Sequence, residues 1–182
     1  MSNSLSTLKQ LLTKNSVRRG SFILASGKSS SIYVDARLTT MSPEGLVLIG
    51  SLGLEYIDAQ KWDPDSVGGL TLGADPITMA ISYTSAGRLK PLRGFTVRKE
   101  PKAHGTGNLI EGPFRTGDRV VIIEDVITTG KSALQAVDSV EQSGGHIIGV
   151  LAVVDREEGG REALQARGYK VASLIRISEL TD

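Results

Sequence analysis

The sequence contains no cysteine, so disulfide bonds and thiolate metal sites are both excluded. Aromatic residues make up only 4% of the chain, which argues against base-stacking surfaces for RNA or single-stranded DNA. No apolar run approaches the length of a membrane span, and the first residues lack the basic and apolar pattern of a secretory signal. The formal net charge is only +1, so we expect no general nucleic-acid or membrane surface. These absences predict a cytoplasmic protein.

The chain of 182 residues is long enough for one domain with a sizeable core. Apolar periodicity and turn residues predict an alternation of strands and helices, with Ser42 as the N-cap of the second helix. The predicted helices are residues 5–15, 43–60, 76–85, 132–142 and 161–167, and the predicted strands are residues 21–24, 31–35, 66–70, 92–97, 120–123, 146–154 and 170–175. This order indicates an α/β fold with a mainly parallel sheet covered on both faces, and therefore sites at the carboxyl ends of strands.

The most informative stretch runs from Arg119 to Ala133. Residues 120–123 are apolar and β-branched, which is typical of a buried parallel strand, and we expect the strand to end there and deliver Glu124 and Asp125 into solvent. Hydroxyls, a glycine and free backbone N–H groups follow at a helix start, at Thr128, Thr129, Gly130, Lys131 and Ser132. Such a helix N-terminus binds phosphate, while the two acids can accept hydrogen bonds from vicinal hydroxyls or face a hydrated cation. The stretch therefore predicts a sugar phosphate site.

Two other interpretations compete for this stretch. The tail of a nucleoside triphosphate P-loop is present in Gly130, Lys131 and Ser132, but the first glycine of that motif would fall on Asp125, whose carboxylate would repel phosphates. An acidic turn between a strand and a helix can also be purely structural. The uninterrupted pattern of residues 125–132 favours the binding site.

Two further segments carry signals for anion binding. Gly73, after the strand at residues 66–70, permits close approach of a ligand to backbone N–H groups, although a tight turn before a helix would have the same composition. The polar segment 98–108 gathers Arg98, Lys99, Lys102 and His104 among glycines and is long for a simple connection. Charge runs are usually solvated loops. Beside a phosphate site, however, these cations could close over a diphosphate.

These segments together resemble the type I phosphoribosyltransferase family. Residues 120–130 resemble its phosphoribosyl diphosphate signature, an apolar strand followed by two acids, two aliphatics, two hydroxyls and glycine. Residues 98–105 match the catalytic loop R-K-x-x-K-x-H-G, and residues 22–33 match the hood pattern F-x-L-x-S-G-x-x-S-x-x-Y, both from its orotate-specific members. The resemblance implies the type I phosphoribosyltransferase fold over residues 1–182 as a single domain, with residues 1–40 forming a small N-terminal hood.

The resemblance also implies roles for individual residues. Lys102 and Asp125 would be catalytic, and Thr128, Arg156, Tyr33 and Lys28 would bind orotate. Residues that would bind the phosphoribosyl diphosphate are Arg98, Lys99, Lys102, His104, Glu124, Asp125, Val126, Ile127, Thr128, Thr129, Gly130, Lys131, Ser132, Leu72, Gly73 and Ala74. Two of these assignments have structural alternatives, because Arg156 could merely pair with Asp155 or Glu157, and Tyr33 could be a core aromatic.

The implied reaction is transfer of phosphoribosyl from its diphosphate donor to orotate in pyrimidine biosynthesis. The implied cofactor is Mg²⁺ carried by the substrate diphosphate, with no metal site built by the protein, and the implied assembly is a homodimer that shares the basic loop between subunits. The alternatives are a phosphoribosyltransferase for another base and a non-catalytic regulator that senses the diphosphate. Two departures matter: many relatives have lysine at Ala25, and some have Tyr-Lys at Leu72-Gly73, so Lys28 or backbone amides would have to replace that charge.

Overall fold

The computed structural model describes residues 2–23, 29–101 and 109–181. Three predicted site residues, Lys28, Lys102 and His104, lie outside these ranges, as does Ala25. No helix within the described ranges is both long enough and apolar enough to cross a membrane.

The first part of the chain forms a helix and a small separate sheet. Helix α1 covers Ser2–Asn15, and strands β1 (Val17–Ile23) and β2 (Ser29–Val34) pair antiparallel. Strand β1 begins four residues before the predicted start at residue 21. The prediction missed these residues because Arg18 and Arg19 are exposed and the apolar alternation of the strand is weak. The two-stranded sheet does not join the main sheet. The limit of the hood at residue 40, and the single domain, stay predictions.

In the described part of the chain, the main sheet has six strands in the order β5-β4-β3-β6-β7-β8. All neighbours are parallel except β5, which pairs antiparallel with β4 at the edge. The strands are β3 (Ser66–Leu70), β4 (Arg93–Val97), β5 (Ile110–Glu111), β6 (Arg119–Ile127), β7 (His146–Asp155) and β8 (Val171–Arg176). The predicted mainly parallel α/β fold is therefore confirmed.

Within the described ranges, five more helices and two short 3₁₀ segments lie before, between or after these strands. They are α2 (Arg37–Thr40), α3 (Pro43–Ala59), α4 (Ala74–Thr84), α5 (Lys131–Gln142) and α6 (Gly160–Ala166), with 3₁₀ turns at Ser85–Gly87 and Ile177–Leu180. Helix α3 begins as predicted, because Ser42 Oγ accepts a hydrogen bond from the Gly45 N–H (3.1 Å) and Pro43 occupies the first turn. Helix α4 begins two residues before the predicted position.

Strand β6 explains why the centre of the chain is continuously apolar. Val121 and Ile123 belong to the core cluster beneath α1, α3 and α4, whereas Val120 and Ile122 belong to the cluster beneath α5 and α6. All four are fully buried. A strand covered on both faces needs apolar side chains at every position, and each buried side chain of this size contributes about 1.5–3 kcal/mol.

The predicted end of this strand at Ile123 is wrong. Strand β6 continues to Ile127 because β7 also extends that far, and the two stay paired from Glu124 opposite Ala152 to Ile127 opposite Asp155. Glu124 is consequently buried rather than delivered into solvent, with only 5% of its surface exposed. Asp125, the next residue, is half-buried. The two acids are thus part of the sheet, which fixes their backbone positions.

Candidate active site

A cleft of about 640 Å³ opens at the carboxyl ends of the parallel strands. It lies where β3 and β6 end and where β7 gives way to Arg156, which is the position expected for sites in open α/β sheets. Its lining residues are Tyr33, Val34, Asp35, Ala36, Arg37, Leu70, Thr71, Leu72, Gly73, Lys99, Glu124, Asp125, Val126, Thr128, Thr129, Lys131, Ser132 and Arg156. Twelve of the predicted site residues are in this set.

Four predicted site residues within the described ranges lie outside the lining. Ile127 is buried in the core against α5, and Ala74 is buried at the start of α4. Gly130 forms the turn into α5, and Arg98 pairs with Glu111 across β4 and β5 (3.3 Å). The contribution of Ile127, Ala74 and Gly130 to binding would therefore come through backbone position, whereas the charged side chain of Arg98 lies outside the lining of this subunit's cleft.

The phosphate loop between β6 and α5 is a tight turn. Gly130 has φ +79°, a left-handed conformation that glycine adopts without strain, and it begins α5 by accepting a hydrogen bond from the Leu134 N–H (2.9 Å). Gly160 packs against this turn, where a side chain would strike the Thr128 carbonyl at 2.6 Å. Thr128, Thr129, Lys131 and Ser132 line the cleft around the first turn of α5. The loop therefore combines hydroxyls, a cation and free N–H groups, as anion binding requires.

The two acids at the end of β6, Glu124 and Asp125, differ in how deeply their carboxyl groups are buried. Burial raises the pKa of Glu124 well above its usual range, and the negative charge of Asp125 adds to the rise. Asp125 Oδ1 accepts a hydrogen bond from the Val126 N–H (2.8 Å), and its side chain is half-buried. Glu124 can therefore hold a proton and donate as well as accept, whereas Asp125 is placed to present a negative charge to a ligand.

Replacing Glu124 with glutamine should stabilise the unliganded protein at neutral and alkaline pH. Because burial raises the pKa of Glu124, the wild type keeps its full stability only below the unfolded-state pKa of about 4.3 and loses it as pH rises through the folded-state pKa. The variant should match the wild type at acid pH and melt a few degrees higher at alkaline pH. Thermal unfolding from about pH 4 to about pH 9 measures this, with exposed Glu55→Gln as the control. A constant difference across that range would contradict the assignment.

The loop after β3 lies directly beside Asp125. Thr71 Oγ1 donates to Asp75 Oδ2 (2.7 Å), and Thr96 Oγ1 donates to Asp75 Oδ1 (3.0 Å), so one carboxylate ties the loop to the end of β4. The Thr71–Leu72 peptide bond is cis. A Cβ at Gly73 would lie 2.5 Å from the Asp125 carboxylate. A side chain at position 73 would therefore have to displace the Asp125 carboxylate, a contact that the sequence did not reveal.

Gly73→Ala should weaken binding of a phosphorylated ligand by about tenfold. The added methyl group must displace either the Asp125 carboxylate or the loop backbone, and both border the cleft. Gly87→Ala is the matched control, because a side chain there meets nothing within 4 Å. Calorimetric titration with phosphoribosyl diphosphate compares the two variants. Equal affinity for both would show that the contact at Gly73 has no consequence for binding.

Arg156 reaches the cleft from the loop after β7. Its backbone N–H donates to the Ile127 carbonyl (2.9 Å), which places it beside Thr128, and its guanidinium bonds Glu158 (2.8 Å) and the Ile32 carbonyl of β2 (3.4 Å). The alternative that Arg156 pairs with Asp155 or Glu157 is wrong, since its ion pair is with Glu158 and Asp155 pairs with Arg161. Arg156 is 8% exposed, so it is a buried cation at the junction of hood and sheet.

Other residues of the hood also line the cleft. Tyr33 is 39% exposed, lies 5.6 Å from the Phe22 ring and lines the cleft, so the alternative of a core aromatic is wrong. Sequence reasoning missed Asp35 and Arg37, which also line the cleft. The available signal was a pair of opposite charges two residues apart, beginning two residues after Tyr33.

This cleft, with its acidic strand end, its hydroxyl-rich helix start and its hood, defines a type I phosphoribosyltransferase. No protein-family model matches the sequence. The chain is 48% identical over 176 residues to orotate phosphoribosyltransferase of Aquifex aeolicus, covering 95% of each chain, and 44% identical over 179 residues to that of Rhodopirellula baltica, covering 96% of this chain and 93% of the relative. The chain therefore belongs to the orotate phosphoribosyltransferase family, a family of pentosyltransferases.

A solved structure agrees with this assignment. Orotate phosphoribosyltransferase of Mycobacterium tuberculosis H37Rv in complex with 5-phospho-alpha-D-ribosyl 1-diphosphate superimposes with a TM-score of 0.81 at 40% identity, covering 97% of this chain and 98% of the other. The family, enzyme class and fold predicted from the sequence are confirmed. The roles of individual residues stay predictions.

Proposed function

We propose that this chain transfers the phosphoribosyl group of phosphoribosyl diphosphate to N1 of orotate, giving orotidine 5'-monophosphate and pyrophosphate in pyrimidine biosynthesis. The observation that supports this most strongly is the convergence of an anion loop, an acidic pair and a buried arginine on one cleft. A sugar phosphate needs the first two, and a base that carries a carboxylate gives the arginine a purpose.

The donor would lie along the end of β6. Its 5-phosphate would accept hydrogen bonds from residues 128–132 at the start of α5, and its ribose hydroxyls would bond Glu124 and Asp125. The bond from the anomeric carbon to the diphosphate oxygen breaks, and its electron pair leaves with pyrophosphate. The carbon then resembles an oxocarbenium ion, which the negative charge of Asp125 would stabilise. Orotate N1 supplies the electron pair of the new bond to the anomeric carbon, and the proton that N1 loses passes to water or to an oxygen of the departing pyrophosphate.

Orotate would bind between the hood and the end of β7. Arg156 would donate to its carboxylate, Thr128 would contact its ring, and Tyr33 would lie against its face, with Lys28 nearby. Support comes from the position of Arg156, which bridges the Ile32 carbonyl of the hood and the loop that begins at Thr128. Discrimination against uracil would follow because uracil has no carboxylate to accept hydrogen bonds from the Arg156 guanidinium.

The basic loop would act on the leaving group. Lys99 lines the cleft, and its carbonyl accepts a hydrogen bond from Gln135 Nε2 of α5 (2.9 Å), which fixes the start of the loop beside the phosphate site. We assign neutralisation of the departing pyrophosphate to Lys102, with Arg98, Lys99 and His104 in support. Mg²⁺ would be held mainly by diphosphate oxygens and water, close to the Asp125 carboxylate, and would supply positive charge at the leaving group.

A homodimer that shares this loop between subunits is part of the proposal. Helices α2, α3 and α4 pack together and expose apolar side chains, which are Leu38, Met41, Val47, Met79 and Tyr83. Exposed apolar groups of this kind mark interaction surfaces, and a second copy of the chain is the partner we assign to them. The substrates are the small molecules orotate and phosphoribosyl diphosphate. The cytoplasmic location and the absence of nucleic-acid and membrane partners stay predictions.

The test is the loss of orotate absorbance when phosphoribosyl diphosphate and Mg²⁺ are added, with uracil and adenine assayed in parallel. We expect rapid turnover with orotate and none with the other bases. Turnover with another base would identify a phosphoribosyltransferase of different specificity. Donor binding without turnover of any base would favour a diphosphate-sensing regulator.

A further inference from the structure

Arg37 presents a guanidinium group to the cleft that no assigned role uses. It is the first residue of α2, directly after the hood strand β2 and its connection, and 47% of its side chain is exposed. Its Nε donates to Asp35 Oδ1 (2.8 Å) and its Nη2 donates to Asp35 Oδ2 (3.0 Å). These bonds occupy one edge of the guanidinium. Among residues 2–23, 29–101 and 109–181, no partner is found for Nη1, so the other edge can donate to a ligand.

The wall of the cleft nearest to Arg37 carries negative charge. The hydrogen-bonded carboxylate of Asp35 raises the pKa of Arg37, and the charge of Asp125 adds to the effect. Asp125 in turn lies against Gly73, which marks the loop after β3. Arg37 lines the same cleft as Asp125 and as Leu72 and Gly73 of this loop.

The loop after β3 has little to offer a polyanion by itself. Residues 71–74 contain no basic side chain, and the hydroxyl hydrogen of Thr71 is donated to Asp75. Backbone N–H groups remain, but a diphosphate carries several negative charges that would face Asp125 across the loop. An arginine fork matches the geometry of phosphate oxygens and stays charged at every physiological pH.

We propose that Arg37 binds the diphosphate group of the phosphoribosyl donor. Its Asp35 pair orients the guanidinium, and its remaining N–H groups donate to the phosphate oxygens that border the loop after β3. This inference rests on the proposed function, because it takes phosphoribosyl diphosphate as the ligand.

The experiment measures binding by calorimetric titration of four proteins: wild type, Arg37→Ala, Asp35→Asn and Arg88→Ala. Arg88 is the matched control because it forms a two-bond pair with Asp58 away from this cleft. The probes are phosphoribosyl diphosphate, pyrophosphate and ribose 5-phosphate, each with Mg²⁺, and orotidine 5'-monophosphate. Ribose 5-phosphate contains the sugar and 5-phosphate but no diphosphate, so it separates the two phosphate sites. Thermal melting checks that each variant is folded, and Arg37→Lys replaces Arg37→Ala if the latter is not.

We expect Arg37→Ala to weaken phosphoribosyl diphosphate and pyrophosphate by about ten- to hundredfold. Affinities for ribose 5-phosphate and orotidine 5'-monophosphate should stay at the wild-type value, as should all affinities of Arg88→Ala. Asp35→Asn breaks the same pair but keeps the cation, so it should weaken the donor much less than Arg37→Ala.

Three outcomes would overturn the proposal. If Arg37→Ala and Asp35→Asn lost the same donor affinity, the pair would be merely structural. If Arg37→Ala weakened ribose 5-phosphate as much as the donor, the contact would be to the sugar or its phosphate. If only the affinity for orotidine 5'-monophosphate fell, Arg37 would be assigned to the base. Failure of the proposed function is distinguishable, because it would appear in the wild type as absent orotate-dependent turnover while donor binding could still be measured.

Discussion

Lys102→Ala should lower kcat for orotate-dependent turnover by about a hundred- to a thousandfold and leave the dissociation constant of the donor close to the wild-type value. The reason is that negative charge on the bridging oxygen develops only as the glycosidic bond breaks. A cation that meets this oxygen stabilises the transition state more than the bound donor. Lys102 belongs to the basic segment whose first part, at Lys99, borders the cleft.

Steady-state kinetics and donor titration together measure this effect. Lys14→Ala, an exposed lysine on α1, is the control for loss of a positive charge and should retain full kcat. Equal losses in kcat and in donor affinity would mean that Lys102 binds the ground state, and its role in the departure of pyrophosphate would have to be abandoned.

The same variant tests whether subunits share the loop. Lys102→Ala and Asp125→Asn should each be nearly inactive. If the loop acts on the partner's cleft, each mixed dimer that forms by subunit exchange would contain one site with both residues intact. Recovery of activity on mixing is the expected result. No recovery, with subunit exchange verified, would place the loop over the cleft of its own subunit.

Much of the sheet and of the phosphate loop could be predicted because both depend on local sequence. Residues 120–123 are apolar at every position, and only a strand buried on both faces requires that pattern. Gly130 precedes a helix in which apolar residues recur at helical spacing, so the turn and the start of α5 could be located together. The residues of this loop that line the cleft, Thr128 among them, could therefore be located from the sequence, and their binding roles stay predictions.

The parts that could not be predicted depend on contacts between distant segments. Strand β6 ends at Ile127 rather than Ile123 because β7 pairs with it that far, and nothing within β6 itself encodes the length of its neighbour. Helix α2 and strand β5 have four and two residues, too few for a periodic pattern. The approach of Asp125 to Gly73 joins residues 52 positions apart, so the need for glycine there appears only after folding.

Arg156→Ala should raise the dissociation constant of orotate by roughly a hundredfold, because removal of one partner of a buried charge pair typically costs about 2–5 kcal/mol. Orotate would lose its cationic partner, and Glu158 would lose the guanidinium to which it is paired. Donor affinity should not change, since the variant keeps the backbone N–H of residue 156 that bonds the Ile127 carbonyl beside the phosphate loop. Discrimination between orotate and uracil should fall in parallel, because the buried cation that distinguishes them is gone.

The matched control for this prediction is Arg161→Ala. Arg161 is a neighbouring arginine with equally extensive bonding, to Asp155 (2.7 Å), the Val171 carbonyl (2.9 Å) and Ser173 Oγ (2.8 Å), but it is not part of the cleft lining. Its removal should lower the melting temperature without changing orotate affinity. If both variants lost stability and neither lost orotate affinity, Arg156 would have only a structural role, and recognition of the orotate carboxylate would have to come from another residue of the cleft or hood. Loss of orotate affinity in Arg156→Ala alone would show that this buried cation selects the base.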